Sequence, residues 1–343
     1  MKVGSQARRG VVTGGTWCAD HNKVVGRWPA EDELVEILKE EVRGGGSACN
    51  LGIDLKRLDP DFPVSTIGLV GDDEDGRILL AEADATGIER SRLAVIAGAR
   101  TNYTDAYTSG RTGRRTHLFH AGTGALLTPD HFDFSSDNAR ILHLGLPGVH
   151  ARLDAPWQAD ANGWVAILKK ARAAGIETNL ELCSIPAARI AEIVRPCLAH
   201  LDFLIVNEFE IAAIAGKPVG HETDVDIETC REAALAVFAD GAMRLLAVHF
   251  PGGAIALTAD GHEIRKPSLA VPPEAVVGAN GAGDAFAAGV LYGLHEGWDL
   301  GETIALGHAA AAASIRSLGT TDAVRSWQEC LDLAARWGWR API

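Results

Sequence analysis

Short apolar runs alternate with amphipathic helical stretches along most of the chain, and this alternation limits the fold more than any other feature. Runs suited to buried strands recur at residues 11–13, 64–70, 141–146, 176–182, 203–206, 245–250 and 254–257. Helical patterns such as 164–174 and 187–198 lie between many of them. A strand that is apolar throughout buries both faces, and a strand followed by a helix returns by a right-handed crossover. The pattern therefore predicts an α/β fold, a doubly wound and mostly parallel sheet flanked by helices. At 343 residues, 47% of them hydrophobic, the chain can bury a sizeable core in one large domain or two smaller ones.

One stretch breaks the alternation. Residues 100–121, RTNYTDAYTSGRTGRRTHLFHA, are rich in Thr, Tyr and Arg around a turn at Ser109 to Gly113. This predicts a polar hairpin, with 23–28 as a neighbouring strand. The first ten residues carry charges without an apolar core behind them, so they read as a loose tail and not as a signal peptide. No apolar run is long enough to span a membrane. The six cysteines are scattered without C-x-x-C spacing, which argues against zinc and disulfide frameworks and for a reducing cytoplasm. A formal charge of −13 argues against nonspecific nucleic-acid binding.

The chemistry concentrates in residues 277–294, VGANGAGDAFAAGVLYGL. A glycine turn opening a helix points unpaired N–H groups at one place, and the helix dipole adds to their pull on an anion. Asp284 sets a carboxylate beside that anion site. It can be a base for an attacking hydroxyl or, more plainly, a helix-capping residue.

At these residues the chain resembles the ribokinase-like (PfkB) family of carbohydrate kinases. GAGDAF at 281–286 resembles the family's C-terminal signature, Gly45-Gly46 through Asn50 its GG-x-x-x-N turn, and Gly68 through Gly76 its G-x-x-G-x-D-x-x-G run. Asn207 and Glu210 match N-x-x-E after a hydrophobic strand. The resemblance covers about residues 11–330 and implies one kinase domain over 11–343 behind a tail at 1–10. Lid segments at about 22–40 and 98–122 would form a small β-sheet over the acceptor.

The resemblance also assigns roles. Asp284 would be the base, and the amides of Gly281, Ala282 and Gly283 the anion hole for the moving phosphoryl group. Asn207 and Glu210 would arrange Mg²⁺ around ATP, with Glu210 acting partly through water, although the pair is equally a good capping box. Asn280, Gly253 and His308 would lie on the nucleotide side; His308 would stack on adenine or be an ordinary surface histidine. Asp20, Gly45, Gly46 and Asn50 would hold a small sugar or polyol. Exposed β-strands with apolar residues on such a lid need covering, which predicts a homodimer through the lids.

Three departures bear on the substrate. Gly278 stands where relatives usually carry an aspartate that helps hold a monovalent cation, which argues against potassium activation. The glycine strand motif reads Val248-His249-Phe250-Pro251-Gly252-Gly253, with a proline intruding. Asn179-Leu180-Glu181 replaces a frequent D-x-N-x-R and suggests an unusual acceptor. Arg111, Arg114 and Arg115 keep a phosphorylated acceptor open, and Tyr103, Tyr107 and Phe119 keep a nucleoside open. Trp17 would pack on a sugar or fill the core. A sensor without turnover is the reading from outside enzymology.

Overall fold

The apolar runs pair side by side into one nine-stranded sheet, and the polar hairpin builds a second sheet of four strands. The computed structural model describes residues 8–220 and 225–343. The first third contains β1 (Val11–Gly15), β2 (Cys18–Val25), β3 (Ile37–Gly45), α1 (Ser47–Leu58), β4 (Val64–Gly71), α2 (Glu74–Thr86) and β5 (Glu89–Ile96). The hairpin β6 (Tyr103–Ser109) and β7 (Arg115–His120) follows, then β8 (Ile141–Gly145), α3 (Ala151–Asp154), α4 (Gly163–Ala173), β9 (Glu177–Leu180) and α5 (Ala187–Val194). The last part runs β10 (Phe203–Asn207), α6 (Glu208–Ala215), α7 (Ile227–Ala239), β11 (Leu245–Phe250), β12 (Gly253–Thr258), β13 (Glu263–Pro267), α8 (Ala282–Glu296), α9 (Leu300–Ser314) and α10 (Trp327–Trp337).

The large sheet has the order β13-β12-β11-β10-β9-β8-β1-β4-β5. Its strands from β11 to β5 are parallel, and β12 runs antiparallel to both of its neighbours. Alternate side chains of each central strand feed opposite cores. Phe203, Ile205, Leu245 and Ala247 join one core with α1, α2, α8, α9 and α10. Leu204, Val206, Leu246 and Val248 join the other with α4 to α7. Strands buried on both faces are the physical reason the apolar runs were continuous.

The small sheet has the order β3-β2-β6-β7. Its first strand starts at Cys18 and β3 runs on to Gly45, so this sheet takes in more of the N-terminal region than residues 22–40. β2 pairs parallel with β6 and antiparallel with β3, and β6 pairs antiparallel with β7. Two strands of the framework were not among the expected runs. β5 begins with polar and charged residues, Glu89 to Arg92, before an apolar half, and β13 is partly exposed along its length, because both lie at sheet edges.

Of the tail expected over residues 1–10, residues 1–7 lie outside the described residues. The N–H of Arg9 donates to Asn138 O at 2.9 Å, and that of Gly10 donates to His295 Nε2 at 2.7 Å, which ties these residues to the body. Among the described residues all six cysteines are free, and no helix is long and apolar enough to cross a membrane.

Candidate active site

Asp284 lies in the first turn of α8. The residue before the helix, Gly281, adopts φ 76°, and a side chain there would run into the carbonyl of Thr320. Only glycine takes that conformation without strain, so the turn that aims the first N–H groups of α8 outward is written into Gly281. Those N–H groups have no partner within the helix.

The carboxyl of Asp284 is tied to a residue 234 positions away. Asn50, on α1, donates from Nδ2 to Asp284 Oδ2 at 2.8 Å, and Thr320 Oγ1 donates to Asn50 Oδ1 at 3.1 Å. The hydroxyl fixes which way the Asn50 amide points. Burial drives the pKa of Asp284 well above the usual carboxylate range, and the charge of Glu181 adds to the rise.

Asp20 sits on β2 of the small sheet, rather than at the end of a strand of the large one, opposite Arg43 of β3 and Thr104 of β6. Gly45 and Gly46 pass beside it: a side chain on Gly45 would strike the Asp20 carboxyl. Burial raises Asp20 to about 6; Arg115 opposes the rise and Asp284 adds to it. Asp20, Asn50, Gly45, Gly46 and Asp284 thus share one polar, mostly buried neighbourhood.

The second half of the site is apolar. A cavity of about 430 Å³ is lined by His249, Phe250, Pro251, Phe286, His308 and Ile315 among others. Ala282 and Gly283 also line it, so it ends at the glycine turn, and Asn207 and Glu208 contribute at its polar end. Phe286 stands between two imidazoles, with centroids 4.8 Å from His249 and 5.1 Å from His308. Burial lowers His249 to about 4 and His308 to about 3, so both rings are neutral near pH 7. His308 is 4% exposed and faces a cavity, which removes the surface-histidine alternative.

Asn207 and Glu210 do form a capping box: Asn207 N donates to Glu210 Oε2 and Glu210 N donates to Asn207 Oδ1, each at 2.9 Å. Burial raises Glu210 to about 7. Asn280 and Gly253 do not line the cavity; Gly253 opens β12 opposite Phe250 and Pro267, and Pro251 takes a place on the wall.

The remaining expectations separate by sheet face. Phe119 and Asp20 both flank Thr104 in the register of the small sheet, and Arg115 lies on the same alternation. Tyr103 and Tyr107 fall on the opposite face, where Tyr103 stacks between His21 and His120. Arg111 and Arg114 are exposed at the hairpin turn, whereas Arg115 Nε is buried without a hydrogen-bond partner. Trp17 is fully buried and donates from Nε1 to Thr66 Oγ1 at 2.7 Å, so it fills the core.

Sequence reasoning missed a pair of residues here. Glu181, just past β9, is in hydrogen-bond contact with Asp284, and its Oε2 lies 2.7 Å from Nε2 of His143 on β8. The only signals were a histidine inside an apolar strand and the altered motif at 179–181.

Comparison with known proteins identifies the family and the fold. The pfkB family of carbohydrate kinases matches residues 9–327. The chain is similar to an adenosine kinase of Saccharomyces cerevisiae, 25% identical over 297 residues, covering 84% of this chain and 82% of that one. It is similar to an ATP-dependent ribose-1-phosphate kinase of Halopiger xanaduensis, 26% identical over 312 residues and covering 88% and 92%. Its fold matches the ribokinase of Arabidopsis thaliana solved with ribose and ATP, with a TM-score of 0.77, 21% identity and coverage of 96% and 99%.

Proposed function

The chain belongs to the pfkB family of carbohydrate kinases, and from that premise we propose that it moves the γ-phosphoryl group of ATP to a hydroxymethyl group of a small sugar or polyol. The observation that carries the reading is the position of Asp284. Its carboxyl is held by Asn50, stands in the first turn of α8 one residue after cavity-lining Gly283, and lies close enough to raise the pKa of Asp20.

In the proposed reaction Asp284 takes the proton of the acceptor hydroxyl. The hydroxyl oxygen bonds to the γ-phosphorus as the bond to the departing ADP oxygen breaks. The amides of Gly281, Ala282 and Gly283 meet the charge on the phosphoryl oxygens, and Asp20 and Asn50 orient the acceptor through its other hydroxyls. The apolar cavity takes the adenine, with His308 and Phe286 against its face; Asn280 and Gly253 act behind the cavity wall.

Mg²⁺ fits the residues present. Asn207 and Glu210 offer hard oxygen donors near the polar end of the cavity, and the buried Glu210 carboxyl gains a counter-charge when a cation is there. Bound, the ion would neutralise phosphate charge during transfer. Gly278 supplies no carboxylate, so the reading expects turnover without K⁺.

Phe119, 43% exposed on the Asp20 face, favours a nucleoside as the second reading, because a base can stack on it. Arg115 on that face would suit a phosphorylated acceptor. The exposed Ile37, Leu38 and Leu118 of the small sheet favour a homodimer through the lids, and six free cysteines favour a reducing, cytoplasmic setting. The test is ADP release from Mg-ATP with free sugars, sugar phosphates and nucleosides, each with and without K⁺. Turnover on one acceptor supports the kinase and fixes its class. Saturable binding without ADP across the set would put a sensor in its place.

A further inference from the structure

Asp284 is not alone at the head of α8. The N–H of Glu181 donates to Leu144 O at 2.8 Å, which pins the residue after β9 to strand β8. Register places His143 opposite Asn179. Asn179 Nδ2 donates to His143 Nδ1 at 2.9 Å, so Nδ1 offers its lone pair and the proton of the neutral ring sits on Nε2. Nε2 lies 2.7 Å from Glu181 Oε2. His143 is fully buried, and burial lowers its pKa to about 4, so the ring stays neutral.

On its other side Glu181 meets the Asp284 carboxyl at hydrogen-bond distance. Two carboxyl oxygens hydrogen-bond only when one carries a proton. The surroundings favour keeping that proton. Glu210 of α6 and Asp20 of β2 are nearby carboxyls, as is the buried Asp54 of α1, while Arg115 of β7 acts on Asp20. With one proton between Glu181 and Asp284, the links from Glu181 through Asp284 and Asn50 to Thr320 each have a donor and an acceptor, while His143 Nε2 packs 2.7 Å from Glu181 Oε2 without hydrogen-bond geometry.

Resting on the reading of Asp284 as the base, we propose that Glu181 is its positioning residue, sharing one proton with it and packed against His143. Glu181 lends its hydroxyl to an ionised Asp284, whose Oδ2 also accepts from Asn50. The acceptor hydroxyl then gives its proton to Asp284 as its oxygen bonds to the γ-phosphorus and the bond to ADP breaks. The pair now holds two protons and releases one to solvent as product departs. A neutral side chain at 181 would leave Asp284 an isolated buried carboxyl that ionises without opposition from a neighbouring charge.

The test is infrared titration of protonated carboxyls in the unliganded protein, as difference spectra between wild type, Glu181→Gln and Asp284→Asn. Asp54, Asp20 and Glu210 also feel these charges, so their bands are first assigned with Asp54→Asn, Asp20→Asn and Glu210→Gln and subtracted. In Glu181→Gln the remaining Asp284 band is expected to titrate out about one pH unit or more below the wild-type pair. The acid limb of turnover, read on whichever acceptor supports ADP release, moves down with it. A Glu181 that only packs would lower turnover and leave both midpoints in place, and that result overturns the proposal. Should Glu181→Gln fail to fold, Asp284→Asn reads the same coupling from the other side, with the Glu181 band falling towards the ordinary carboxylate range. The two readings fail separately. Turnover retained by Asp284→Asn removes the base assignment, whereas turnover lost by Asp284→Asn with unmoved midpoints removes only the role of Glu181.

Discussion

The glycine turn at 281–283 divides two environments built from opposite materials. On the side proposed for the acceptor Asp20, Asn50, Glu181 and Asp284 crowd carboxyls and amides into a buried network, and each group there has its position set by a hydrogen bond or its pKa moved by a neighbour. On the side proposed for the nucleotide alanines of α9, Phe286, Pro251 and neutral histidines enclose space, and little charge is present. Burying unpaired polar groups is costly, so the first region can be correct in only a few arrangements. Shape alone defines the second, and it tolerates exchange of residues of similar volume. Changes on the acceptor side should therefore act on turnover, and changes on the nucleotide side on the affinity for ATP.

The largest effect expected from breaking this division is at the boundary. Gly281→Val forces a branched side chain into φ 76° against Thr320 and displaces the first amides of α8. Turnover should fall by about 10²–10³, the scale of one lost anion-hole donor, in steady-state assays at saturating ATP. Asn50→Leu removes the donor to Asp284 and should cost about 1–3 kcal/mol of transition-state stabilisation, about five- to 150-fold in kcat. Equal loss in the KM for ATP would blur the two regions.

Variation of pH sharpens the comparison. A base must be ionised, and burial holds the Asp284–Glu181 pair high, with Glu181 at about 7. Turnover is thus expected above neutral pH and should fall about tenfold per unit as pH drops through that range. His249 and His308 are already neutral there, so any change in the KM for ATP from about pH 6 to 8 should come from Glu210, raised to about 7, and not from the apolar cavity. The smallest effect belongs to Ala311→Phe, which fills part of the cavity from α9. It should raise the KM for ATP by about tenfold or less, while kcat and the KM for the acceptor hold. Initial rates with each substrate varied in turn distinguish these outcomes.

How much could be read in advance follows the same line. Continuous apolar runs marked strands buried on both faces, and the glycines and polar residues of the four motifs marked Asp284 and Asn50, which meet across 234 residues. β5 and β13 escaped because an edge strand wets one side and carries charges: Arg90 of β5 pairs with Asp84, and Arg265 of β13 pairs with Glu228. The cavity wall escaped for another reason. Alanines of α9 and the ring of Phe286 look in sequence like any buried helix face, and only packing decides that they border space. Glu181 and His143 lie 38 residues apart, and their meeting depends on the β8–β9 register that sets His143 opposite Asn179. No local pattern encodes that register, although the altered triplet at 179–181 pointed to the place.

The central claim is that Asp284 removes a proton and does not merely cap α8. Its most direct test compares wild type with Asp284→Asn, measuring Mg-ATP and acceptor binding by calorimetry and ADP formation in a single turnover. The asparagine keeps the size of the aspartate at its place in the first turn of α8. The account predicts binding within a fewfold of wild type and ADP formation lower by about 10²–10⁴. An Asp284→Asn protein that binds both substrates and still turns over near the wild-type rate would contradict it.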